Sequence, residues 1–431
     1  MQRELSAAER RVLDAIDEHR ILDDLRELVA IPSVGGTPAE AQAQDWCGER
    51  LRGMGLAVDQ WDIDVDAERR AEGFPGMEVE REGARGCVAV LAGTAAPSHA
   101  AAPPALALCG HTDVVPTGDL ARWTAAEPFQ LRVEGGTAFG RGACDMKGGL
   151  AAALGAVGAV AATGLELARP LAVHAVSGEE DGGLGAFATL RRGHRAQACV
   201  IAEPTGGAAV PANAGSLTFR IEVEGRATHG STRALGVSAI DLWEPVQAAL
   251  RQLEAERNAH VPQPFSHLDP AWPISVGILR SGDWASTVPD RLVAEGRYGV
   301  RPGESLEDAR AAFQRAVAGA ESQHPWLRDH AVAVTWPGGA FAPGALPDGD
   351  PLLADVVACV VDQGGAVPAV HGAPYGSDLR HYAAAGVSTL QYGPGEVRFA
   401  HAVDEQVEVA EIVRCARVYA LLALRRCGIR D

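Results

Sequence analysis

Five short apolar runs recur along the chain, and each is released into a polar loop. Ala105–Cys109 opens into Gly-His-Thr-Asp, Leu171–Val176 into Ser-Gly-Glu-Glu-Asp, and Ala198–Ile201 into Ala-Glu-Pro-Thr. Ser388–Gln391 leads to Gly-Pro-Gly-Glu and then to His401, and Cys87–Leu91 is the fifth run. Uninterrupted apolar runs this short are strands covered on both faces, and their alternation with helices predicts an α/β fold with a mostly parallel central sheet. Helical spacing is clear at the start, where Leu13, Ile16, Ile21, Leu25, Leu28 and Val29 share one face of a helix that Pro32 ends. Leu150–Ala162 is apolar for 13 residues. A membrane span needs about 20, so this stretch is expected to be a buried core helix.

The texture changes between residues 213 and 336. Leu217–Glu224 alternates apolar and polar, as a half-exposed antiparallel strand does. A helix carrying Ile240, Trp243, Leu250 and Leu253 comes next, with Pro245 as a kink or a late start. Strands at Ile274–Leu279 and Arg291–Tyr298, a helix over Leu306–Ala318 and a strand at Ala331–Trp336 complete the order β-α-β-β-α-β of a ferredoxin-like sandwich. Residues 213–336 are therefore expected to form an inserted domain, with 1–212 and 337–431 making the larger one. The one biased segment is an Ala/Pro-rich loop around 94–104.

The formal charge of −18 over 431 residues repels phosphate backbones and anionic lipid, so no nucleic-acid or membrane partner is expected. Eight dispersed cysteines without a CxxC pair, and a charged N-terminal stretch without an apolar segment, fit a cytoplasmic protein.

The chemistry lies in the loops. Groups at the carboxyl ends of neighbouring parallel strands converge on one crevice. His111, Asp113, Asp145, Glu179, Glu180, Glu203 and His401 each come after a strand or sit in a Gly-rich loop beside one. So many carboxylates in one cleft require compensating cations. Mixed imidazole and carboxylate ligation suits zinc, with cobalt or manganese as substitutes. Singly, each feature has an ordinary reading: a capping Asp113, a solvated acidic turn at Glu179-Glu180, a surface His401, an exposed loop His229, and small core residues at Cys109 and Cys144. Gly140-Arg-Gly-Ala-Cys-Asp145 imitates a dinucleotide motif, but the Asp145 carboxylate would repel a pyrophosphate. No GxSxG elbow is present.

Taken together, the motifs resemble the dinuclear zinc amidohydrolase and peptidase family of acetylornithine deacetylase, succinyl-diaminopimelate desuccinylase and glutamate carboxypeptidase. They are Gly110-His-Thr-Asp-Val-Val-Pro116, Gly140-Arg-Gly-x-x-Asp145-Met-Lys-Gly-Gly149, Ser177-Gly-Glu-Glu180, Ala202-Glu-Pro204, Gly225-Arg-x-x-His229-Gly-Ser and Ala400-His401, in that order. The resemblance implies a zinc-peptidase-like catalytic domain with an inserted lid and dimerisation domain, and two divalent metal ions per subunit. Asp145 would bridge the ions, His111 and Glu203 would complete one, and Glu180 and His401 the other. Glu179 would be the general base and Asp113 would orient His111. His229 would stabilise the oxyanion in the neighbouring subunit of a homodimer.

The reaction so implied is metal-assisted hydrolysis of an amide in a small N-acylated amino acid or amine. A dipeptidase or carboxypeptidase, a deformylase of an N-formyl heterocyclic amine, and a non-catalytic metal-binding protein are the alternatives. One departure bears on substrate. Where such enzymes often carry an Asn before Val-x-Pro and an Arg on the next lid strand, this chain has Ser286-Thr-Val-Pro289 and Gly299. Arg297 and Arg301, expected on one strand face, and Arg380 in Gly376-Ser-Asp-Leu-Arg are the candidate anion-binding residues.

Overall fold

The structure is a computed structural model, described over residues 3–93, 103–125 and 127–430. Most of the Ala/Pro-rich loop lies outside the described residues. Two compact units divide the chain. The first comprises Met1–Ala212, Ala345–His371 and Ser377–Asp431, and the second Asn213–Gly344 with Gly372–Gly376.

The first unit is built on a six-stranded sheet. Its order is Ala57–Ile63, Ala84–Leu91, Leu171–Val176, Leu106–His111, Ala198–Ile201, Ser388–Gln391. The last four strands run parallel, and the first two are antiparallel additions at one edge. Leu106–His111, Leu171–Val176 and Ala198–Ile201 are buried at every position, as strands covered on both faces must be. Ala57–Ile63 escapes a reading by apolar runs because it is a half-exposed edge strand.

Helices cover the sheet. The expected single N-terminal helix is instead two, Ala7–Asp14 and Glu18–Ala30. Ser6 and Glu9 form a capping box on the first, and Asp17 caps the second by accepting from the Arg20 amide. A capping Asp at that point restarts the chain although the apolar periodicity runs through it. Gly148–Ala162 lies in the core. With the preceding turn, Ala143–Ala162 is long and apolar enough to cross a membrane by length and composition, and 83% of that window is buried inside the protein.

In the second unit a sheet is ordered Ile274–Ser281, Arg291–Val300, Gly215–Glu224, Ala333–Thr335, all antiparallel. In chain order this is 2-3-1-4, the sandwich order anticipated from the pattern. Ala239–Asn258 and Leu306–Gln323 pack on it around Phe219, Trp243, Tyr298 and Phe313. The helix runs through Pro245 from a Ser238 cap, so Pro245 marks no late start, and Ile240 is exposed rather than on the packed face. Ala340–Phe341 also pairs with Gly215–Glu224, which carries the second unit past residue 336 to Gly344.

Candidate metal centre

Because Leu106–His111, Leu171–Val176 and Ala198–Ile201 are parallel neighbours, their carboxyl ends open on one edge. His111 ends the first, Glu179 and Glu180 come just after the second, and Glu203 just after the third. Asp145 reaches the same place from the turn Ala143–Lys147 at the foot of Gly148–Ala162. This turn is held close: a Cβ at Gly149 would collide with the Ala202 carbonyl oxygen.

Ligand atoms of His111, Glu179 and Glu203 lie within 4.8 Å of one another, as do those of His111, Asp145 and Glu180. His111 Nε2 is 3.0 Å from Asp145 Oδ1. His401 Nε2 lies 2.9 Å from Glu180 Oε2 and 3.5 Å from Asp145 Oδ2. The imidazole of His401 is about half exposed, and its backbone is left-handed at φ 60. His111 is buried. Its Nδ1 stands 3.0 Å from the Asp113 carbonyl oxygen and 3.7 Å from the Asp113 carboxylate. A carbonyl only accepts, so Nδ1 carries the proton and Nε2 is left facing the acids. The nearer partner of His111 is therefore the backbone of Asp113. Its carboxylate accepts the Glu180 amide at 3.1 Å and so ties two loops together.

The electrostatics are those of crowded acid. Burial, then the Glu203 charge, hold the Glu179 carboxyl well above the usual carboxylate range. Burial and Asp145 do the same to Glu203 and push Glu180 to about 7. For His111 burial opposes the charged form, but the hydrogen bond to Asp145 and the surrounding acids outweigh it, and its proton affinity rises. Glu180 Oε1 and Asp113 Oδ1 are buried without a hydrogen-bond partner. Unpaired buried carboxylate oxygens are costly, and a divalent cation relieves both the missing partner and the repulsion. The donor set thus fits divalent metal ions.

Groups that a local reading passes over hold this cluster. Glu405 is buried and accepts from the amides of Gly142, Cys144 and Asp145 at 2.8–2.9 Å and from Arg141 Nη1 at 2.7 Å. The Asp-Glu pair after His401 is its only signal in the sequence, and it looks like any solvated acid. Lys147 is fully buried and donates to the carbonyls of Leu28 and Ile31 at 3.0 and 2.9 Å. Asp378 is buried, and burial pushes its carboxyl to about 6.

Arg380 is also buried, and Nη2 donates to the Gly182 carbonyl at 2.6 Å. Its guanidinium supports the acid loop in this structure. In the second unit, His229 is exposed in a two-residue strand paired with Thr287–Val288, and Nδ1 stands 2.7 Å from Ser231 Oγ. Arg297 is exposed on its strand, but Arg301 lies beyond the strand end, beside Glu304 at 3.6 Å, so the two do not share a strand face. Gly299 has no room for a side chain, since a Cβ would lie 2.9 Å from Trp272 Cα.

An open sheet with histidine and carboxylate ligands at its carboxyl edge and an inserted α+β unit defines a metallohydrolase architecture. Comparison with known proteins bears this out. Residues 107–425 match the family model described as Peptidase family M20/M25/M40. Succinyl-diaminopimelate desuccinylase 2 of Shewanella loihica is 30% identical, over 93% of this chain and 98% of its own. N-formyl-4-amino-5-aminomethyl-2-methylpyrimidine deformylase of Halalkalibacterium halodurans is 26% identical over 96% of each chain. The structure of aminopeptidase PepT from Bacillus cereus superposes with a TM-score of 0.71, at 18% identity over 96% of this chain and 99% of that one. The chain belongs to peptidase family M20/M25/M40 and is a metal-dependent hydrolase of amide bonds.

Proposed function

We propose that the protein is a deacylase of small N-acylated amino acids or amines that uses two divalent cations, zinc first and cobalt or manganese as substitutes. The observation that carries this reading is the pair of triads that share His111 at the sheet edge, one with Glu179 and Glu203 and one with Asp145 and Glu180, each with its ligand atoms within 4.8 Å of one another. Asp145 would be shared, with His111 and Glu203 on one side and Glu180 and His401 on the other. When bound, such ions polarise an amide carbonyl and make water acidic enough to attack at neutral pH. Glu179, buried and with a raised proton affinity, takes the proton of the attacking water and returns it to the departing amine. The Asp113 carbonyl fixes the tautomer of His111.

His229 is assigned the oxyanion contact in the partner subunit of a homodimer. The edge strand Ile274–Ser281, with Ile278 and Leu279 exposed, is the surface that supports pairing through the inserted unit. His229→Ala should lower kcat about 10²–10³-fold, as loss of an oxyanion donor does, with metal content unchanged. Mixing it with an inactive Glu179→Ala chain should restore part of the turnover in hybrid dimers. Full activity in His229→Ala, or no complementation, would remove the residue from this role. The eight reduced, buried cysteines support a cytoplasmic setting.

A second reading has one observation in its favour. The closed space at Gly299 removes the lid-strand arginine that grips a substrate carboxylate, which favours an N-formyl heterocyclic amine over an N-acyl amino acid. The test is an amine-release screen of zinc-loaded protein on N-acetyl, N-succinyl and N-formyl amines and dipeptides, with Glu179→Ala in parallel. Turnover confined to wild type identifies the acyl group. No turnover on any of them with both ions bound would favour a non-catalytic metal-binding protein.

A further inference from the structure

Glu179 and Glu180 lie on the loop Gly178–Gly183, which has left-handed glycines at Gly178, Gly182 and Gly183 and no regular structure of its own. Something outside the loop must fix it. Arg81 grips Asp181, the residue after Glu180, with two parallel bonds, Nη1 to Oδ2 and Nη2 to Oδ1, each 2.7 Å. The other side of the same guanidinium is taken by Glu40, which accepts from Nε at 2.9 Å and from Nη2 at 3.0 Å. Glu40 in turn accepts the Gly36 amide at 2.7 Å. The amides of Glu78 and Val79 donate to Asp181 Oδ2 at 3.2 and 3.1 Å, so the strand-free segment before Arg81 closes on the same carboxylate. All three charged side chains are at least nine-tenths buried, and a Cβ at Gly178 would stand 3.2 Å from Arg81 Nη2.

A buried triad with two acids and one base is a poor source of stability, because desolvation offsets much of the attraction. Its bidentate geometry is instead a strong source of position. We propose that Arg81 is a positioning residue for Glu179 and Glu180, acting through Asp181. The inference rests on the roles assigned to those two glutamates above. Arg81 contacts neither substrate nor metal in this role. It sets where the acid loop stands, with Glu40 setting where Arg81 stands.

The experiment compares wild type, Arg81→Ala and Asp181→Asn, each loaded with cobalt. The readouts are kcat and KM on the amide found by the screen, the visible cobalt absorption bands, and rescue by added guanidinium at non-denaturing concentration. Loss of a group that orients ligands costs about 10–100-fold in activity or metal affinity, so kcat should fall by that factor with KM unchanged and the cobalt bands displaced. Guanidinium should restore kcat and the bands in Arg81→Ala but not in Asp181→Asn. Unchanged kcat and bands in a folded Arg81→Ala would overturn the proposal. If that variant fails to fold, unchanged values in Asp181→Asn would do so. Should wild type hydrolyse no amide, the functional reading fails separately, and the cobalt bands still decide the position of Glu180.

Discussion

Glu179→Gln is expected to lower kcat about 10²–10⁴-fold, the contribution of a positioned general base. The substitution keeps the shape of the side chain and removes only its capacity to take a proton. The site is buried and acidic, so no bulk base can replace it. Both cations should still bind, as counted by metal analysis. That second measurement is essential, because Glu179 stands as close to His111 and Glu203 as a ligand would. Turnover lost together with one cation would make Glu179 a ligand and leave the base to be found elsewhere. Turnover retained would dismiss it from both roles.

The metal-free protein is expected to lose stability between about pH 5 and pH 8, and to regain it on adding zinc at pH 8. The sign comes from the direction of the shifts. Glu179, Glu180 and Glu203 hold protons more tightly in the folded protein than in the unfolded chain, where such groups titrate near 4.5. Their contribution is full below that value and is lost as pH rises through the folded value, about 7 for Glu180. His111 and His401, both raised, add loss in the same direction at higher pH. Asp145, which is lowered, acts only at the acidic end. At about 1.4 kcal/mol per unit, Glu180 alone accounts for about 3 kcal/mol, or on the order of 5 °C in Tm. Calorimetry of chelator-treated protein across that range tests it. A flat Tm would mean that neither burial nor the neighbouring acids hold protons on these carboxyls.

The ligand loops are legible in the sequence because a strand covered on both faces leaves an unmistakable apolar run, and the residues after such a run must surface at the carboxyl edge. His111, Glu180 and Glu203 are found in this way. Glu405 is not. Its role lies in three backbone amides on a turn some 260 residues away, and no local pattern encodes such a meeting. Arg81 is separated from Glu40 and Asp181 by 41 and 100 residues, and all three look singly like surface charges. The break between the first two helices is hidden for a different reason: apolar spacing survives it, and only the cap at Asp17 marks it. Arg301 is misplaced because the strand, although it runs two residues past the expected Tyr298, still stops at Val300.

The buried ammonium of Lys147 bears on how far this chain can be cut. The family match begins at residue 107, yet the carbonyls that satisfy Lys147 belong to Leu28 and Ile31. Burial already draws its proton affinity down to about 7. A fragment trimmed to the match would strand that ammonium in an apolar interior two residues from Asp145, and would strip the two antiparallel strands from the sheet edge. The family model is matched from residue 107 onward, but the unit of folding starts a hundred residues sooner.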